Sequence, residues 1–109
     1  MLLFKPEHVY PILAGTKTQT RRIWKRKHAN VGAIHLAKTQ MLSKEYFAKL
    51  EMLDVYQEDI LDISEEDAKS EGYSDRDEYL AAFCRINKLG ICDLDNLMIW
   101  VVRFECRKE

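Results

Sequence analysis

The amino-acid sequence predicts an α+β fold: a small, mostly antiparallel β-barrel with helices on its flank. Three observations predict it. Segments of strand and helix character follow one another as β-α-β-β-β-α-α-β, and strands in a row with few helices favour an antiparallel sheet. The last segment alternates between two faces, as a central strand does. The 109 residues suffice for one domain with one modest core, and no repeat or Pro/Gly/Ser linker divides them.

Each element has a local cause. Leu2, Leu3 and Phe4 are apolar and open a short strand. Pro6 suits the first position of a helix, where a missing N–H costs nothing. Val9, Ile12 and Leu13 recur at helical spacing, and Gly15 is a natural helix stop. Pro11 inside that helix predicts a kink, or a helix of a turn or two. Residues 16–22 carry β-branched side chains and read as a strand. Residues 31–39 read as the next strand, after a polar loop, and residues 46–57 as a longer extended segment. Ser64 followed by Glu65, Glu66 and Asp67 is a helix start, and Gly72 stands near its end. A second helix starts around Ser74 and Asp75, with Tyr79, Leu80, Phe83 and Ile86 as its apolar stripe. Residues 96–107 then place Met98, Trp100, Val102, Phe104 and Cys106 on one wholly apolar face. Leu97, Ile99, Val101, Arg103, Glu105 and Arg107 take the other, which turns polar toward its end. Trp100 and Phe104 are expected in the core.

Composition bounds the function. Apolar residues make up 47% and charged residues 32%, both ordinary for a globular chain. The longest apolar runs fall far short of the roughly 20 residues a membrane span needs. The start lacks the pattern of a signal peptide, and Cys84, Cys92 and Cys106 show no CxxC spacing. The expectation is a cytoplasmic protein with reduced thiols that acts away from membranes. His8, His28 and His35 have no metal-ligand spacing, so neither a metal nor a cofactor is expected.

The formal net charge of −1 hides a split: residues 1–44 carry +8 and residues 45–109 carry −9. Such polarity either steers an anionic partner or lets the two halves of the chain attract each other. Its focus is the stretch GTKTQTRRIWKRK, residues 15–27, with six basic side chains and no acidic one. In a flat strand Lys17, Gln19 and Arg21 point one way, and Thr18, Thr20 and Arg22 the other. Arginine forks, a lysine and hydroxyls together suit phosphate. Trp24 offers a surface on which a base can stack, with Lys25, Arg26 and Lys27 near the backbone. Four phosphate contacts on a single strand would give a slope of log K against log salt near about −3. The plain alternative is a solvated basic strand whose aliphatic stems cover the edge of the core.

The spacing Gly15-x-Lys17-Thr18-x-Thr20-x-Arg22, after Phe4-Lys5-Pro6 and Ile12-Leu13, resembles the signature of the ASCH domain, whose barrel is related to the PUA domain. Val31-Gly32, the acidic helices and the hydrophobic last strand extend the resemblance over nearly the whole chain. Ala33 stands where the family often has an acidic residue, and Arg21 and the loop 24–28 add positive charge. The resemblance implies a PUA-like barrel with a cleft beside the signature that binds RNA or a nucleotide. The residues framing it would be Lys17, Thr18, Thr20, Arg21, Arg22, Trp24, Lys25, Arg26 and Lys27. It also implies an alternative, since some small members are amidohydrolases that deacylate the nucleoside N4-acetylcytidine with a lysine, a threonine and a helical glutamate. Lys17, Thr20 and Glu71 match those three. Such chemistry needs a nucleophilic hydroxyl and a base with a lowered pKa. Lys17 and Thr20 are three apart, so they converge only if the chain still turns after Gly15 or a bulge intervenes. A third reading is a protein-interaction module that uses the acidic region 60–78.

Overall fold

A computed structural model of the chain describes residues 1–107. Its elements are β1 (Leu2–Leu3), α1 (Val9–Ala14), β2 (Gln19–Arg22), β3 (Ile34–Lys38), β4 (Ala48–Asp59), α2 (Glu65–Ser70), α3 (Arg76–Asn87) and β5 (Met98–Arg107), with 3-10 turns at Pro6–His8, Ile60–Asp62 and Ile91–Leu94. The predicted order holds. The five strands form one sheet in the order β1-β3-β4-β5-β2. Only β1–β3 is parallel; the other pairs are antiparallel. The long β4 and β5 share most of the ladder, with a register shift between Met52 and Asp54. An irregularity of that kind bends a strand, and the sheet curls into a half-barrel, a small PUA-like α+β architecture.

Both faces of the curled sheet are covered. On one face, Leu2, Phe4, Ile12, Leu50, Met52, Val102 and Phe104 form one buried cluster. On the other, Ile60, Ile63, Ala68, Leu80, Phe83, Ile99 and Val101 form another with α2 and α3. The central position of β5 agrees with its sequence pattern, but its use of faces differs. The first half buries Ile99 and Val101 toward α2 and α3, and the second half buries Val102 and Phe104 on the opposite face. Trp100 belongs to neither cluster; it is half-buried, and its indole Nε1 has no hydrogen-bond partner among the described residues. Alternation cannot report that the two faces of one strand are covered over different halves of its length.

Local chemistry explains the helix ends. Pro6 opens the first 3-10 turn and α1 runs for six residues, so Pro11 does shorten it. The Ser64 hydroxyl accepts from the Asp67 N–H at 3.0 Å and caps α2. Asp75, rather than Ser74, caps α3 by accepting from the Glu78 N–H at 2.8 Å. The second strand begins later than its composition suggests, at Gln19 rather than residue 16. Gly15 lies in the left-handed region at φ 82°, and the N–H groups of Thr16 and Lys17 both donate to the Pro11 carbonyl at 3.0 Å. The chain is therefore still turning as it passes Lys17.

Candidate active site

That turn positions the site. The Thr18 N–H donates to the Ser70 carbonyl at 2.7 Å, which ties the entry of β2 to the end of α2. Glu71 is the C-cap of α2. Gly72, at φ 99°, swings the chain away with an ideal Cβ position 3.6 Å from the Cβ of Lys17, a conformation that favours glycine. Lys17 Nζ donates to the Glu71 backbone carbonyl and to Glu71 Oε1, both at 2.9 Å. The two side chains are 1% and 3% exposed, so the pair is fully withdrawn from water.

Thr20 leaves β2 opposite Val102 and is buried. Its Oγ1 accepts from Arg22 Nε at 2.9 Å. Arg22 shares its row, donates through Nη2 to the Leu3 carbonyl at 2.6 Å, and lies over the Phe4 ring at 4.8 Å. Because Lys17 precedes the strand, flat-strand alternation does not apply to it. Lys17, Thr20, Arg22 and Glu71 all line one cavity of about 350 Å³. Phe4, Tyr73, Tyr79 and Phe83 supply its aromatic wall. That volume is at the lower end of the range typical of small-molecule pockets.

Burial dominates the electrostatics. It pulls the Lys17 ammonium below its ordinary value; the Glu71 carboxylate opposes this, and Arg22 and Arg21 reinforce it. His8 is lowered to about 4 by burial and by the charge of Lys17. Its Nε2 pairs with the Tyr73 hydroxyl at 2.9 Å. Burial and the Glu7 charge push Tyr73 up to about 12, and burial raises Tyr79 well above its ordinary value. At neutral pH the His8–Tyr73 pair is therefore uncharged.

Arg21 departs from the basic row expected of it. Its guanidinium is fully buried and takes Gln19 Oε1 at 2.8 Å, Glu71 Oε2 at 2.9 Å, Glu58 Oε2 at 3.1 Å and Asp67 Oδ2 at 3.3 Å. Lys17 and Arg21 thus draw carboxylates from the acidic part of the chain, as one reading of the charge split required. The picture of a solvated basic strand fails for both. Thr18 is exposed and faces a different groove, beside Leu13 and Phe104. Trp24 is half-buried against the barrel core and meets His28 edge-on at 5.2 Å. Lys25, Arg26 and Lys27 are exposed and lie outside the cavity lining.

Sequence reasoning missed His8, Tyr73, Glu58 and Asp67. The one signal that could have found any of them is the position of Tyr73, two residues beyond Glu71 across a glycine. Among the described residues, no group of three or more His, Cys, Asp or Glu could hold a metal, and no helix is long and apolar enough to cross a membrane.

No protein-family model and no curated protein matches the chain. Solved structures do. An ASCH domain from Lactobacillus crispatus JV V101 is similar at 17% identity and TM-score 0.59, over 90% of this chain and 69% of that one. Protein EF3133 of Enterococcus faecalis V583, a DUF984 protein, is similar at 16% identity and TM-score 0.74, over 93% of this chain and 67% of that one. The curled mixed sheet, with α2 and α3 packed over one of its faces, and these two likenesses agree on one conclusion: the chain has an ASCH-like fold.

Proposed function

We propose that the cavity takes an acylated nucleobase of the N4-acetylcytidine type and hydrolyses its exocyclic amide. The observation that carries this reading is the buried Lys17–Glu71 pair in the same nucleoside-sized cavity as the Thr20 hydroxyl. A lysine kept for phosphate binding needs an exposed ammonium. This one is buried, has a lowered pKa and is aligned by one carboxylate. In its neutral form both N–H groups are engaged by the Glu71 carbonyl and carboxylate, and the lone pair is the position left over.

The chemistry follows from that arrangement. Thr20 Oγ1 attacks the acyl carbon as Lys17 Nζ takes its proton. Lys17 then gives the proton to the exocyclic nitrogen as the C–N bond breaks, leaving free cytidine and an ester on Thr20. Water attacks the ester, and Lys17 moves its proton to Thr20 Oγ1 as the carboxylic acid departs. The Arg22 guanidinium, already bonded to Thr20 Oγ1, supplies a fixed cation for the developing oxyanion. The test is cytidine release from N4-acetylcytidine. Thr20→Val and Lys17→Met should each lower the rate by at least about 1000-fold. Full turnover by Lys17→Met would end the proposal.

A second reading, RNA binding, is favoured by the three consecutive exposed cations Lys25, Arg26 and Lys27. They lie on the chain a few residues beyond the cavity residues Thr20 and Arg22, where the backbone of a strand offering its base could run.

A further inference from the structure

Neither the reaction steps nor the exposed loop 25–27 uses Arg21, yet its guanidinium donates four side-chain hydrogen bonds. It approaches Glu71 from the side opposite Lys17. Lys17 holds Oε1 and Arg21 holds Oε2, each at 2.9 Å, so one buried carboxylate is shared by two buried cations. Arg21 is itself braced. Gln19 accepts from its Nη1 and donates to Asp67 Oδ1 at 3.0 Å, and Asp67 and Glu58 accept from Nη2. Both of those carboxylates lie at the partly exposed rim, about a fifth exposed, while the Arg21 side chain is sealed off. The guanidinium thus links the rim to the buried pair.

We propose that Arg21 is a positioning residue: it fixes the Glu71 carboxylate by the oxygen that Lys17 does not use, and thereby keeps that carboxylate from holding the Lys17 proton with its full charge. The inference rests on the reading of Lys17 as the base. A planar fork does this where a lysine could not, since it reaches Glu71 through one nitrogen and Glu58 and Asp67 through the other. The charged and titratable groups that face Lys17 are Glu71 from the end of α2, Arg21 and Arg22 from β2, and His8 from the first 3-10 turn. Arg21 acts on Lys17 in two ways with the same sign: its own positive charge repels the ammonium, and its bond to Glu71 draws off the attraction. Glu58 and Asp67 temper the first effect.

The signs make the inference testable on the free protein. The midpoint of Lys17 is read from the pH dependence of its side-chain ¹³Cε shift by NMR, in the absence of any substrate. Arg21→Met should raise that midpoint by about one pH unit or more, since Glu71 is left to Lys17 alone. Arg21→Lys, which cannot span both sets of acceptors, should raise it by less. Glu58→Gln unmasks the Arg21 charge without touching Glu71, so it should lower the midpoint. A residue that merely held the fold together would not produce opposite signs. If Arg21→Met does not fold, Glu58→Gln decides alone. An unmoved midpoint in the Arg21 variants, or an upward shift in Glu58→Gln, overturns the inference. In parallel, the acid limb of N4-acetylcytidine hydrolysis should move with the midpoint. Titration shifts without any hydrolysis would sink the amidohydrolase reading and leave the role of Arg21 standing. Hydrolysis with unmoved titrations would do the reverse.

Discussion

Glu71→Gln keeps the shape of the residue between Lys17 and Arg21 and removes its charge. Breaking a buried ion pair by deleting one partner costs about 3–5 kcal/mol, because a charge is left buried and uncompensated. Arg21 retains Glu58 and Asp67, so the stranded charge is Lys17. Lysine can escape by shedding its proton. Starting from an ordinary value of 10.5, that costs about 5 kcal/mol at pH 7 and about 1.4 kcal/mol less for each pH unit above it. The two figures meet near neutrality, so the expected loss at pH 7 is about 3–5 kcal/mol, a fall in Tm of at least about 12 °C for a chain of this size. The pH dependence sharpens the test. Burial already depresses Lys17 in the wild type, and loss of Glu71 depresses it further. A folded state that binds fewer protons than the unfolded one gains stability as pH rises. Both proteins gain between the wild-type midpoint of Lys17 and 10.5, but only the variant gains in the window just below that midpoint. The deficit of Glu71→Gln should therefore narrow as pH rises through this window and stay level above it. Urea unfolding of both proteins, across the whole pH range in which both fold, measures it. A deficit below about 1 kcal/mol at pH 7, or one identical at every pH, would refute the claim that Lys17 is buried as a cation that depends on Glu71.

Two further expectations follow from the same geometry. His8 resists protonation down to about 4 in the folded state, so its share of stability is complete above its ordinary 6.5 and is lost as pH falls from there toward 4. His8→Phe should flatten that acid limb and cost about 1 kcal/mol at pH 7 for the lost Tyr73 bond; parallel stability curves for the two proteins would count against it. For RNA, Lys17 and Arg21 are withdrawn from solvent, which leaves Lys25, Arg26 and Lys27 as the exposed cations of the stretch. The slope of log K against log salt on a single strand should then be about −2 rather than the −3 that four contacts imply. Replacing all three by Gln should flatten it, and an unchanged slope would remove this loop from the interface.

Much of the site was legible in the chain. The resemblance carried by the Gly15-x-Lys17-Thr18-x-Thr20-x-Arg22 spacing named Lys17, Thr20, Arg21, Arg22 and Glu71, and all five line the cavity. The fold was legible because its causes are local: a capping serine at 64, prolines at 6 and 11, and alternation along β5. Arg21 does line the cavity, but its burial was not legible because charge in a sequence carries no burial. A run of cations on one strand looks like a surface until Glu58, Asp67 and Glu71, between 37 and 50 residues away in the chain, fold onto it.

By itself, then, the sequence determined the order of elements, the end of α1 at Gly15 and the chemical types available after it. These depend on backbone preferences and side-chain periods that act over a few residues. Only the tertiary structure decided that Lys17 and Thr20 share one cavity, that Arg21 turns to the acids instead of to solvent, and that β5 buries different faces along its length. Those outcomes depend on the turn held by the Pro11 carbonyl, on the tie between Thr18 and Ser70, and on which side of a curled sheet the helices cover. The Pro11 turn is local, but the other contacts join segments far apart in the chain, and local preference says nothing about which distant partner a side chain will meet.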